Sequence, residues 1–180
     1  MHAAAQPALT FRDASATEAD SRALAQIGAV TFVETFGHLY RREDLDAFLA
    51  ADHSPAAARA FLGKPAVRVR FALQGDVVMG YVAIAPNALP HVPADLRAAE
   101  LKRLYLRPAL QGQGVADALM DWAEATARAD GWDAMSLSVF SDNHRAKRFY
   151  ARRGFAHLGD YHFMVGTQAD CEHVWLKHLA

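Results

Sequence analysis

Apolar side chains recur at Leu24, Ile27 and Val30 and on toward Phe36, the spacing of one face of a helix. The run Ser15-Ala16-Thr17-Glu18 just ahead has the capping-box pattern and predicts the start of that helix. A second short helix is expected over residues 43–51, with Leu45, Phe48 and Leu49 inward. Ser54-Pro55 then reads as N-cap and first helical residue of a third helix, which Gly63 closes. Residues 1–8 read as a frayed tail, with one folded domain over 9–180.

The period changes at Val67. Val69, Phe71 and Leu73 continue a strict alternation, Gly75-Asp76 turns the chain, and residues 77–85 form the second arm of a hairpin. Gly80 inside that arm predicts a bulge or a close backbone approach. A loop containing Pro86, Pro90 and Pro93 leads to a strand over 100–106. Val115, Leu119, Trp122 and Ala123 mark one face of a helix stopped by Gly131. A strand over 135–140 follows, and Ser141-Asp142-Asn143 opens a short basic helix ended by Gly154. Two closing strands are expected at 161–165 and 173–179. Helices, a hairpin, strand–helix–strand–helix and two strands make one mixed α/β domain with no internal repeat.

Composition narrows the function. A chain of 180 residues with 22% charged residues and a formal net charge of -1 has no surplus of Lys and Arg for nucleic acid. No apolar run approaches the roughly 20 residues that cross a bilayer, the first residues lack a leader pattern, and Cys171 has no partner for a disulfide. A cytoplasmic location is therefore expected. Among the nine histidines, His157, His162, His173 and His178 do not follow a zinc-ligand spacing, so no metal site is expected.

The chemistry-bearing feature is Gln111-Gly112-Gln113-Gly114-Val115-Ala116, where a strand turns into a helix. Two glycines and a small residue there let backbone N–H groups approach an anion at the positive end of the helix. A Walker-type loop needs Gly-Lys-Ser/Thr, and here Gly114 is followed by Val115 and Ala116. A dinucleotide site would want an early turn and a third glycine, although Asp142 could imitate its ribose-binding acid. The glycines could also serve only tight helix–strand packing.

Two runs together go further. ELKRLYLRPALQGQGVADALM and LSVFSDNHRAKRFYARRGF resemble the Gcn5-related N-acetyltransferase (GNAT) family. Gln111, Gly114 and Ala116 match its pyrophosphate segment, and Asn143, Ala146, Phe149-Tyr150 and Gly154-Phe155 match its second motif. The resemblance spans about residues 65–178, with acceptor-side helices at about 15–63. TFVETF, EDLDAFL and the tail residues Gly166, Gln168, Asp170 and Lys177 are similar to the spermidine/spermine acetyltransferase branch that includes bacterial PaiA.

The resemblance implies a mixed, mostly antiparallel sheet flanked by helices with a V-shaped cleft for acetyl-CoA. It implies cosubstrate contacts from Leu104, Tyr105 and Leu106, from the segment Gln111, Gly112, Gln113, Gly114, Val115 and Ala116, and from Asn143 and Tyr150. Tyr150 is the expected leaving-group acid, facing the cleft, with Phe149 in the core. Glu100 is a candidate base, or else a solvent-facing strand residue. Glu34, His38 and Tyr40 are the expected acceptor contacts, and Asp44 and Asp46 could join Glu34 in holding a distant ammonium. Arg145, Lys147 and Arg148 could approach a 3′-phosphate or simply be solvated. The implied activity is acetyl transfer to a small primary amine, a polyamine first. A protein or N-terminal amine, or a non-catalytic acyl-CoA-binding module, are the alternatives. Retention of Tyr150 argues against a pure binder. A homodimer is left open.

Overall fold

The structure is a computed structural model that describes residues 7–179, so most of the expected tail lies outside the described residues. Seven strands form one sheet in the order β1-β2-β3-β4-β5-β7-β6. They are β1 (Leu9–Asp13), β2 (Arg68–Gln74), β3 (Val77–Pro86), β4 (Ala98–Leu106), β5 (Ala134–Phe140), β6 (Ala156–Val165) and β7 (Gln168–His178). The helices are α1 (Glu18–Phe36), α2 (Arg42–Asp52), α3 (Pro55–Leu62), α4 (Val115–Ala129) and α5 (His144–Arg152). No helix among the described residues is long and apolar enough to cross a membrane. Every neighbouring pair is antiparallel except β4 and β5, which run parallel because α4 crosses between them.

Local chemistry sets the helix ends. Thr17, rather than Ser15, is the N-cap of α1 and accepts from the Asp20 N–H at 3.2 Å, while the Asp20 carboxylate reaches back to accept from Ser15. Ser54 caps α3 with Pro55 in its first turn, as the sequence predicts. β1 is absent from the sequence-based reading. All five of its residues are exposed, so it carries no buried alternation, and its place is set by non-local pairing with β2.

Each face of the sheet buries its own core. Phe71, Tyr81 and Ala83 pack with Leu24, Ile27 and Ala58 of α1 and α3 on one side. Val82, Ile84, Leu101 and Leu137 pack with Leu119 and Met120 of α4 on the other. Gly80 meets both expectations. The β2–β3 register shifts beside it, and a Cβ there would lie 2.8 Å from the Tyr105 carbonyl oxygen.

Candidate active site

β4 and β5 part company in the middle of the sheet. Their pairing runs from Ala98↔Ala134 to Leu101↔Leu137 and stops, although β4 continues to Leu106 and β5 to Phe140. On its other edge, β4 faces β3 with Arg103 opposite Ala83 and Leu101 opposite Ile84, so Lys102 is an extra residue, a β-bulge. The bulge begins at the residue after the last parallel pair. It resets the alternation, so Arg103 and Tyr105 point to the α1 face and Leu104 and Leu106 to the α4 face. The edge of β4 from Lys102 to Leu106 is thus left without a β5 partner, as a V-shaped cleft requires.

A cavity of about 710 Å³ fills this opening. Because the sheet is split there, side chains from both faces reach it: Tyr150 from the α4 side, and Tyr105 and Glu172 from the α1 side.

One wall is the start of α4. Gly112 and Gly114 have φ of 78° and 77°, and a Cβ at either would meet nothing within 4 Å. Backbone handedness rather than crowding is therefore what requires glycine at both positions. Gly114 is the N-cap and offers no capping side chain. Among the described residues no backbone acceptor meets the N–H groups of Val115, Ala116 and Asp117, which open the helix. A pyrophosphate fits such a row of donors. Val115 contributes its backbone alone, since its side chain is buried. Gln113 turns back to donate to the Ala109 carbonyl at 2.6 Å, and neither Gln113 nor Val115 lines the cavity.

The second motif closes on the first. Asn143 caps α5, its Oδ1 accepting from the Ala146 N–H at 3.1 Å, while it also lines the cavity. Arg145 donates to Gln111 Oε1, tying the two motifs together. Lys147 donates to the Ser141 carbonyl and so is no free phosphate ligand.

Tyr150 lines the cavity, and so does Phe149, which corrects the expected division into cleft and core. Tyr150 is the more buried of the two, 9% exposed, while Phe149 is partly exposed. Among the described residues no hydrogen-bond partner meets its hydroxyl, and burial raises its pKa above the ordinary tyrosine value.

The acceptor side differs most from expectation. Phe32, Thr35 and Phe36 are the α1 residues in the cavity wall, at helical spacing on one face. Glu34 falls off that face and pairs with Arg107 at 2.9 Å. His38 is exposed and does not line the cavity. Asp44 accepts from the Thr167 N–H at 3.0 Å, and Asp46 pairs with Arg42 at 3.5 Å. Tyr40 does line the cavity, donating its hydroxyl to Asp170. Glu100 is not solvent-facing: 4% exposed, it pairs with Lys102 at 2.7 Å and accepts from the Ala88 N–H at 3.0 Å.

Sequence reasoning missed Glu172. It stands on β7 opposite Phe140 of β5 and Tyr161 of β6, in the cavity wall beside Asp170. Burial raises its pKa above the usual carboxylate range, and the charges of Asp170 and Glu100 add to that. The Tyr161 hydroxyl lies 3.2 Å from Ser138 Oγ and within hydrogen-bond reach of Glu172 Oε2 at 3.5 Å. The Tyr105 hydroxyl, pushed up by burial first and then by Tyr81, lies within electrostatic reach of both Glu172 and Tyr150.

Histidine spacing did not foresee that His157, Asp160 and His173 would gather with their ligand-type atoms within 4.8 Å. An extra residue, Leu158, in β6 turns His157 and Asp160 to the same face. His157 Nε2 lies 2.7 Å from Asp160 Oδ1, on the outer strands and outside the cavity wall.

A split parallel pair, a bulge at the split and a free helix N-terminus facing an unpaired strand edge form the kind of site that the resemblance implies for an acyl-CoA-dependent transferase. The model of the Acetyltransferase (GNAT) family matches residues 30–155, and the chain belongs to that family. An uncharacterized N-acetyltransferase of Mycobacterium bovis is 32% identical over 163 residues, covering 91% of this chain and 99% of the relative. The aminoalkylphosphonate N-acetyltransferase of Salmonella typhimurium is 32% identical over 95 residues, covering 51% of this chain and 58% of the relative. Among solved structures, the PaiA N-acetyltransferase of Thermoplasma acidophilum in complex with coenzyme A superposes with a TM-score of 0.73 at 18% identity, covering 95% of this chain and 99% of that one. Salmonella typhimurium yncA, solved with its cofactor acetyl-CoA, gives 0.63 at 21% identity, covering 96% and 95%. The protein is an N-acetyltransferase whose acyl donor is acetyl-CoA.

Proposed function

We propose that the enzyme moves an acetyl group directly from acetyl-CoA to the primary amine of a small molecule. The observation that carries this reading is the single cavity that holds Tyr150 and Glu172, brought together from opposite faces of the sheet by the split between β4 and β5. Tyr40, Phe48 and Phe163, from three separate segments, wall the acceptor half, which suits a small amine better than a protein chain. The aminoalkylphosphonate-acetylating relative is in keeping with a small acceptor. The acids that pointed to a polyamine in the sequence, Glu34, Asp44 and Asp46, are engaged elsewhere. A polyamine reading now rests on Asp170 and Glu172.

Acetyl-CoA supplies the acetyl group already activated as a thioester. The N–H groups at the start of α4 hold its pyrophosphate, and the free edge of β4 from Leu104 to Leu106 aligns the pantetheine arm. A backbone N–H on that edge faces the thioester oxygen and stabilises the negative charge that grows there, a donor worth about 3 kcal/mol when well aimed. An alkylammonium, ordinarily near pKa 10.4, must lose a proton before attack. Glu172 accepts it, since a carboxylate whose pKa is raised by burial is a stronger base than a solvated one. Tyr150 stays protonated at neutral pH and donates a hydrogen bond to the departing sulfur. Thiol release from acetyl-CoA, followed across spermidine, spermine, amino acids, aminoglycosides and lysine peptides, tests the reading. Failure to bind acetyl-CoA in a calorimeter overturns it, and binding without turnover on any amine favours the regulatory module.

A further inference from the structure

Behind the acceptor half lies a second recess of about 370 Å³. Asp52, His53, Lys102 and Arg103 line both it and the main cavity, so the two adjoin at these side chains. Its chemistry is opposite to that of the Glu172 wall. Arg103 is partly buried, and among the described residues no carboxylate pairs with it, whereas Lys102 pairs with Glu100 and Arg107 with Glu34. Asp52 and Lys64, both exposed and of opposite charge, also line it.

His53 Nε2, on a residue 7% exposed that lines both openings beside Arg103, lacks a hydrogen-bond partner. A buried polar atom left unmet is destabilising, and a bound ligand can supply its partner. The imidazole is held in place. It packs against Phe32 and Phe48 with centroids 5.8 and 5.6 Å away, and a Cβ on Gly28 would come within 2.5 Å of Nδ1. Burial and the charge of Arg103 lower its pKa to about 4, so His53 is neutral near pH 7 and can present an Nε2–H donor.

We propose that Arg103 and His53 form an anion subsite, and that the acceptor is a small amine carrying a carboxylate or phosphonate group. The ammonium faces Glu172 and the anion faces Arg103, so each end of the molecule meets an opposite charge. A guanidinium in the wall would repel the second ammonium of a polyamine placed there. The proposal rests on the reading that the Glu172 end takes the amine.

The test compares acceptors matched in length: 4-aminobutyrate, 3-aminopropylphosphonate, butylamine and 1,4-diaminobutane, with shorter and longer homologues. The expected result is a kcat/KM at least about tenfold higher for the anionic members, from the worth of one charge-assisted contact. Arg103→Gln is expected to shrink the ratio of anionic to neutral acceptor by the same factor, and Arg103→Lys to restore part of it. Equal or better turnover of diamines, or an equal loss on every acceptor in Arg103→Gln, overturns the subsite. Should no amine be acetylated, 3-aminopropylphosphonate is titrated calorimetrically into the wild-type protein loaded with coenzyme A. Binding that competes with methylphosphonate upholds the subsite while the transferase reading fails, and no binding overturns the subsite itself.

Discussion

The ring of Tyr150 meets that of Phe155 nearly edge-on, with centroids 5.8 Å apart and planes at 66°. Phe155 follows Gly154, whose φ of 88° turns the chain out of α5, so the glycine that ends the helix also places the ring that backs the tyrosine. Tyr150→Phe keeps this packing and removes only the hydroxyl. Turnover is expected to fall by roughly ten- to a thousandfold with coenzyme A affinity nearly unchanged. Steady-state kinetics beside calorimetric binding measures both, and an unaltered kcat removes Tyr150 from the chemistry.

Gly114→Ala asks whether the glycine turn is needed for its shape. With open space around it, the substitution meets no clash and costs only the left-handed backbone, about 1–2 kcal/mol. The lost geometry is at the row of free N–H groups, so coenzyme A binding is expected to weaken by roughly the tenfold that such a cost converts to. Gly114→Asn, which tolerates this conformation better, should lose less. Calorimetry on the two variants decides the order.

What was legible in the sequence is what is local. The glycine turn, the Asn143 cap, the Ser54-Pro55 start and the Gly80 close approach each depend on a few neighbouring residues, and each is found where the residues pointed. Glu172, Arg103 and His53 were not legible, because no spacing along the chain reports them. Glu172 reaches the cavity through its register with Phe140 and Tyr161, and Arg103 through a one-residue bulge that a pattern of alternation cannot show. Glu34 failed for the converse reason. Its type suited an amine, but helical geometry gives the cavity to Phe32, Thr35 and Phe36. Family motifs pointed to the donor half because the cosubstrate is common to the family, and they left the acceptor half to long-range packing.

The edge strand that the sequence hid is anchored by a charge. Asp20 at the start of α1 is 5% exposed and accepts from Arg12 of β1 at 2.7 Å and from the Ser15 N–H at 2.8 Å. Burial opposes its ionisation, but these donors outweigh it and the pKa is lowered. The stability it contributes is therefore full above the ordinary carboxyl value of about 3.9 and is lost as pH falls through the lower folded value. Asp20→Ala is expected to cost about 2 kcal/mol at neutral pH, moderated because Arg12 stays half exposed and can be hydrated. Thermal melts of both proteins should differ by a constant margin above about pH 5 and converge in acid. A gap that persists in acid would assign the loss to packing instead.

Glu172 gives a prediction that separates a base from a structural acid. Its pKa is raised by burial, so protonation disables it at a higher pH than an ordinary glutamate, and kcat/KM is expected to fall on an acid limb displaced upward from about 4.3. Tyr161 lowers that pKa through its hydrogen bond, so Tyr161→Phe should move the limb further up. Glu172→Gln keeps the shape of the wall and should cost roughly a hundred- to ten-thousandfold in kcat/KM near pH 7. The loss should shrink as pH approaches about 10, where a free alkylamine sheds its proton unaided. A residue that only shaped the pocket would show the same loss at every pH. A flat loss across the profile therefore sinks the assignment, and recovery in alkali upholds it.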